Sequence, residues 1–244
     1  MAVREALVEL IQDLPPGSTM PTEREFSERF GVSRGTVRMA LARLEAEQRV
    51  NRFQGKGTFV AKPKMDQMLE LTGHTEHMRA RGMEPGSRLI AVARGPAETR
   101  ITSALGMSPG DEVLKVERVR LTDGDPVAIE TLHLEARRFN GVAAMLGESQ
   151  SLYELLRARY GIELSWAEET IEAVVAHDRE ASLLGIASGS PLLLLCRVSY
   201  DPIGRPVEFV RSLYRADRFR FRTRLRPPGA PITNFFSAAG RLNG

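Results

Sequence analysis

The chain has 244 residues, 42% of them hydrophobic, with 34 Lys and Arg against 31 Asp and Glu. Length and apolar content of this order fill one large core or two modest ones, which excludes an intrinsically disordered chain. One cysteine, Cys196, excludes an internal disulfide, no basic segment followed by an apolar stretch opens the chain, and the densest apolar run, 192–196, falls far short of the roughly 20 residues of a membrane span.

The cytoplasm is the expected location. Net charge is only +3, but it is unevenly spread: residues 1–33 carry 3 basic and 6 acidic side chains, residues 34–64 carry 8 and 2, and the remainder is balanced. A compact basic block beside a neutral bulk is the pattern of a small module that meets a polyanion.

The first helix is expected over 3–14, ending where Pro15-Pro16-Gly17 cannot continue it. A second starts at Thr22, where Thr22-Glu23-Arg24-Glu25 fits a capping box and Phe26 and Phe30 supply a buried stripe. Gly31-Val32-Ser33 makes a tight turn, with Gly31 in the left-handed conformation and Ser33 as the next cap. The third helix spans 34–48. Its apolar residues Val37, Ala40, Leu41 and Leu44 follow i, i+3, i+4, i+7, which leaves Ser33, Arg34, Gly35, Thr36 and Arg38 exposed at its start.

Two helices joined by a tight turn, the second opening on small, hydroxylated and arginine residues, place side chains on base edges in a major groove. Two strands, 50–53 and 58–61, flank Gln54-Gly55-Lys56-Gly57 and form a wing. There Gly55 and Gly57 allow close backbone approach, and Arg52 and Lys56 supply charge for phosphate or minor groove.

The residues Pro21-Thr22-Glu23-Arg24-Glu25-Phe26, Gly31-Val32-Ser33-Arg34, Thr36-Val37-Arg38, Ala40-Leu41, Leu44 and Gly55-Lys56-Gly57-Thr58-Phe59-Val60 resemble the GntR family of bacterial transcription factors. The resemblance implies that Arg24, Ser33 to Thr36, Arg38 and the wing-tip glycine contact operator DNA. Gly35 departs from the commoner Thr, Met or Pro, which implies a shifted base preference. The Pro-x-Tyr-x-Gln segment that usually opens helix one is missing, so either a clipped first helix or a misassigned start site is expected.

Beyond a short linker at 62–67, an effector-binding and dimerisation domain is expected over 68–226, followed by an irregular tail, 227–244, that includes Phe235 and Phe236. Strands are expected at 87–94, 112–121, 126–134, 168–176, 191–200 and 206–214, with helices at 74–81, 98–105, 151–159 and 178–184. Asp123-Gly124 marks a hairpin. Hairpin-linked strands with helices between them predict an α+β domain built on an antiparallel sheet.

Period-two alternation puts Arg118 and Arg120 on the side of Leu114 and Val116, and Glu130 on the side of Ala128, Leu132 and Leu134. Charges on an apolar face need partners. An internal Arg–Glu pair is one reading; a pocket in which two arginines hold an anion is the other, favoured because two guanidinium groups for one acid leave a positive surplus.

Residues 62–226 resemble the effector domain of the HutC subgroup of GntR regulators, whose fold is that of chorismate lyase. Closer similarity to N-acetylglucosamine-utilisation repressors rests on Thr75-Glu76-x-Met78, Arg118-x-Arg120, Pro126-x-Ala128-Ile129-Glu130, Ser151-Leu152-Tyr153 and Ser212-x-Tyr214-Arg215-x-Asp217-Arg218. The resemblance implies that Arg118, Arg120, Ser151 and the loop at His74-Thr75 hold a sugar phosphate, while Glu130, Glu208 and Tyr214 meet the sugar. Where those repressors read Thr-Ser-aromatic-Thr, this chain reads Thr72-Gly73-His74-Thr75, which removes a hydroxyl and adds an imidazole.

The expected protein is a homodimeric regulator of a palindromic operator, with a small anionic effector, no cofactor and no metal. His74 and His77 have a metal-ligand spacing, but no cysteine or carboxylate cluster converges on them. The alternatives are a lyase-like enzyme acting on a small anionic substrate, a GntR regulator that senses a different anion, and an architectural DNA binder with a degenerate pocket.

Overall fold

The computed structural model describes residues 2–53, 55, 57–146 and 151–225. Gln54, Lys56 and the tail with Phe235 and Phe236 lie outside the described residues. Three helices, α1 (Ala2–Asp13), α2 (Glu23–Phe30) and α3 (Arg34–Ala46), precede a hairpin of β1 (Val50–Phe53) and β2 (Gly57–Val60). Leu7, Phe26, Val37, Leu41, Leu44 and Val50 are fully buried together. At α2 the Thr22 hydroxyl and the Glu25 carboxylate form the expected capping box, and Gly31 ends the helix at φ 63°.

The second part is a six-stranded antiparallel sheet in the order β4-β5-β6-β9-β8-β7. Its strands are β4 (Pro85–Pro96), β5 (Glu112–Thr122), β6 (Asp125–Glu135), β7 (Trp166–Val175), β8 (Pro191–Tyr200) and β9 (Pro206–Arg215). Asp123 and Gly124 both take positive φ, 51° and 79°, as a two-residue hairpin requires. The expected α+β class with an antiparallel sheet is what the chain adopts.

Helices cover both faces. On one, α7 (Leu152–Tyr160) packs Leu152, Leu155 and Leu156 against Leu114, Val116, Leu132 and Leu134, while α4 (His74–Arg79) buries Met78 beside Leu195 and Tyr214. On the other, α8 (Asp178–Leu184) packs on Val119, Ile129 and Leu213, and α5 (Thr99–Ala104) lies over Val113 and Phe209. A short α6 (Val142–Met145) precedes α7.

The segment expected as a linker is partly structured. Met65–Met68 is a strand, β3, paired in parallel with β10 (Phe219–Arg222), a partnership with no local sequence signal because it joins segments about 150 residues apart. Asp125 anchors this junction by pairing with Lys62 and, at 2.9 Å, with Arg218. Arg215 pairs with Asp217 at 2.7 Å and donates to the Pro126 carbonyl at 3.1 Å, so part of the Ser212-to-Arg218 motif braces the junction.

Candidate functional site

The start of α3 is exposed as expected. Ser33 caps the helix, its Oγ accepting from the Thr36 amide at 3.1 Å and lying 3.0 Å from the Thr36 hydroxyl, so both hydroxyls are held in one orientation. Arg34 and Gly35 face solvent, and Arg34 has no carboxylate within ion-pair distance among the described residues. Arg38 is held by Glu23 at 3.0 Å, and Arg24 lies 3.6 Å from Glu28. Arg38's hydrogen bond, chiefly, keeps the Glu23 carboxyl below the usual range.

Arg52 departs from the expected wing cation. It turns back from β1 onto Glu23 at 2.7 Å, on the same side of the strand as the buried Val50. Gly55 and Gly57 sit at the wing tip with φ of 74° and 110°, conformations that glycine adopts without strain.

The second site lies on the sheet face under α4 and α7. Register builds it: Arg118 faces Glu130, Glu130 faces Ser212, and one step along Val210 faces Arg197, which faces Glu169. The cavity is lined by His74, Arg118, Arg120, Glu130, Ser151, Glu208 and Tyr214, so seven of the eight expected positions converge. The eighth, Thr75, stands behind the cavity, its hydroxyl accepting from Arg120 Nη2 at 3.0 Å. With Ser87 Oγ accepting from Nη1 at 2.6 Å, it fixes the Arg120 guanidinium.

Burial alone would raise the Glu130 carboxyl, but Arg118 and Arg120 outweigh it and hold the group down to about 2. Arg118 donates to Glu130 Oε1, and Arg120 Nε lies 3.9 Å from Oε2. This one carboxylate leaves Arg118 Nε and Nη1 and Arg120 Nε, all buried, without a hydrogen-bond partner among the described residues. Buried donors in a native protein are nearly always satisfied, so three at one point mark a place for acceptor oxygens.

The other charged groups around the cavity have partners of their own. Glu169 and Arg197 form their own pair at 2.8 Å, and Glu208 accepts from the Tyr153 and Ser199 hydroxyls at 2.7 and 2.8 Å. Burial raises the Glu208 carboxyl against those hydrogen bonds, and burial and Glu130 push the Tyr214 phenol up to about 12. The cavity lining therefore combines the Arg118 and Arg120 guanidinium groups around Glu130 with a set of paired or hydrogen-bonded groups on Glu169, Arg197, Glu208 and Tyr153.

Arg197 was missed, although it alternates with Leu193, Leu195 and Ser199 just as Arg118 does with its apolar neighbours; the same test finds it. It also donates to the Thr72 carbonyl at 3.4 Å and so ties the loop before α4 to the sheet. Tyr153 and Glu76, both within the motifs shared with the N-acetylglucosamine-utilisation repressors, also line the cavity, as does Gln67, which has no local sequence signal.

His74 is buried, not a free imidazole. Its Nε2 lies 3.0 Å from the Leu121 carbonyl, which can only accept, so that nitrogen carries the hydrogen and Nδ1 keeps its lone pair. Nδ1 has no partner among the described residues.

Comparison with known proteins supplies the family. Residues 1–60 match the bacterial regulatory proteins of the gntR family, and residues 80–220 match the UTRA domain. The chain belongs to the gntR family. With its UTRA domain it is a regulator of the HutC type. It is 40% identical over 213 residues to the HTH-type transcriptional repressor NagR of Bacillus subtilis, covering 86% of each chain. It is equally 40% identical over 219 residues to the HTH-type transcriptional repressor PhnF of Mycolicibacterium smegmatis, covering 90% of this chain and 89% of that one.

The crystal structure of PhnF from Mycobacterium smegmatis matches 92% of this chain and 99% of that one with a TM-score of 0.66. The effector domain of PhnF alone matches with a TM-score of 0.63 at 37% identity, covering 67% of this chain and 100% of that one. This regulator is therefore a DNA-binding protein with a small-molecule effector domain, and the lyase-like alternative falls because the family is regulatory. Among the described residues no helix is long and apolar enough to cross a membrane.

Proposed function

We propose that this regulator is a repressor whose operator affinity is set by a small anionic effector, a phosphorylated amino sugar such as glucosamine-6-phosphate or N-acetylglucosamine-6-phosphate, bound between the sheet and α4. The observation that carries the reading is the set of buried guanidinium donors on Arg118 and Arg120 that lack acceptors among the described residues. A phosphate supplies three oxygens to such a fork at charge-assisted strength. Ser151 lines the same cavity, and Glu130, Glu208, Tyr214 and His74 Nδ1 offer partners to sugar hydroxyls. Similarity to NagR and PhnF at equal identity supports the repressor class and leaves the effector to the chemistry of the pocket.

The test is thermal stability against phosphosugars and their unphosphorylated parents. A ligand at 100 times its dissociation constant stabilises by about 2.7 kcal/mol. Stabilisation by a phosphosugar and not by its parent is the expected result. Stabilisation by neither, with a response to some other anion, would replace the sugar with that anion.

On the DNA side, Arg24, Ser33, Arg34, Gly35, Thr36, Arg38, Gly55 and Gly57 form the operator-facing set, and two copies of the chain read the two halves of a palindrome. Arg34, which has no carboxylate partner among the described residues, is assigned to a base edge. Arg34→Ala is expected to weaken operator binding by about 1–3 kcal/mol while leaving non-specific binding nearly unchanged. Equal losses on operator and random DNA, measured by fluorescence anisotropy, would reduce Arg34 to a phosphate contact.

A further inference from the structure

Glu76 lies on α4, two residues after His74, and has no place in the effector contacts above. Its Oε1 accepts the hydrogen bond of the Ser151 hydroxyl, the same hydroxyl assigned to the effector anion. Its Oε2 is buried without a hydrogen-bond partner among the described residues. A carboxylate oxygen without donors and guanidinium nitrogens without acceptors therefore line one cavity. That arrangement stores unsatisfied polar groups of both signs, which a rearrangement can satisfy.

Gly73 is what admits the carboxylate. A Cβ at position 73 would overlap Glu76 Oε2 and stand 3.3 Å from Cδ, so any side chain there forces the carboxylate end of Glu76 to shift. The glycine is not needed for its backbone, since its φ of −78° is open to every residue. Its lack of a side chain is the property used.

Resting on the effector reading, we propose that Glu76 is an internal counter-anion: in the effector-free protein it holds Ser151, and an anionic effector binds by displacing it from the space beside Gly73. Two acids cannot share the Ser151 donor, and like charges at contact in a buried cavity repel strongly. Displacement moves the first turn of α4 and the loop that Arg197 grips at Thr72, which leads directly back to β3 and the junction with the DNA-binding domain. The contacts of α4 then differ between the empty and occupied states, and a difference of that kind is what lets a ligand shift a conformational equilibrium. Glu76 thus sets both the threshold for the effector and the element that reports it.

The experiment is calorimetric titration of full-length protein with inorganic phosphate, N-acetylglucosamine-6-phosphate and neutral N-acetylglucosamine. Wild type is compared with Glu76→Gln, which removes the charge, and Gly73→Ala, which crowds the carboxylate and forces it to shift without altering it. Both variants are expected to bind the two phosphates at least tenfold more tightly, with N-acetylglucosamine unchanged. Ser151→Ala is expected to weaken phosphate binding more in the Glu76→Gln background than in wild type, because the hydroxyl is then free to serve the anion. Wild-type binding with no gain, or a loss, in both variants overturns the counter-anion. A protein that binds neither phosphate in any of these forms overturns the effector reading and this inference with it, and urea midpoints show that the variants are folded.

Discussion

A variant carrying Arg118→Met, Arg120→Met and Glu130→Gln is expected to fold, to bind operator as wild type does, and to lose at least about 100-fold in affinity for the phosphosugar that stabilises the wild type most. Truncating a charged partner in a desolvated, hydrogen-bonded pair costs about 2–5 kcal/mol, and 100-fold is about 2.7. The third substitution matters as much as the first two. Glu130 is buried and ionised only because two guanidinium groups hold its carboxyl down to about 2. Replacing the arginines alone leaves that carboxyl buried without its partners, whether it takes up a proton or stays ionised, at a cost of about 3–5 kcal/mol, a large share of the 5–15 kcal/mol that holds a domain folded. Arg118→Met with Arg120→Met is accordingly expected to show a reduced urea midpoint that Glu130→Gln restores. Wild-type effector affinity in the folded triple variant would remove the arginine pair from the anion seat.

Acidification of the effector-free protein is expected to remove stability from pH 6.5 downward, with His74 responsible for much of the loss. Burial first, and then the charge of Arg120, push this imidazole down to about 3. The unfolded chain takes up the proton near 6.5 and the folded chain refuses it until about 3. Between those values the unfolded state binds more protons, so stability falls as pH falls, by up to about 1.4 kcal/mol per unit for this one group. His77 and His133 are also lowered by burial and act in the same direction, so the diagnostic quantity is a difference between proteins. His74→Phe, compared with wild type by urea denaturation at pH 7.0 and 5.0, is expected to lose about 2 kcal/mol less over that interval. Loss of the hydrogen bond to Leu121 shifts the variant's starting stability but not its slope. Equal slopes would show that His74 does not titrate as a buried group.

The DNA-binding half was legible because its determinants are local. The Thr22 box, the Gly31 turn, the Ser33 cap and the i, i+3, i+4, i+7 stripe of α3 each involve residues a few positions apart, and all form as expected. In the second half, alternation exposed the three charges that matter most, since a strand has only two sides. Arg118, Arg120 and Glu130 on an apolar face had to meet something, and they meet one another across β5 and β6. The same argument applied to β8 would have added Arg197.

What stayed out of reach was everything set by contacts distant in sequence. The β3–β10 pairing, the turn of Arg52 onto Glu23, the place of Thr75 behind Arg120 and the hold of Glu76 on Ser151 join segments from 29 to about 150 residues apart. Pairings of that kind depend on how whole elements stack.

By itself the sequence determined the family, the order of nearly every helix and strand, and which charges would lie on a buried face, because capping, turn geometry and alternation act over a few residues. Only the tertiary structure decided that Glu169 neutralises Arg197 and that Gly73 leaves room for a carboxylate among the groups expected to hold the effector. The reason is that register and helix docking, not residue type, determine which buried charges come within hydrogen-bonding distance of one another.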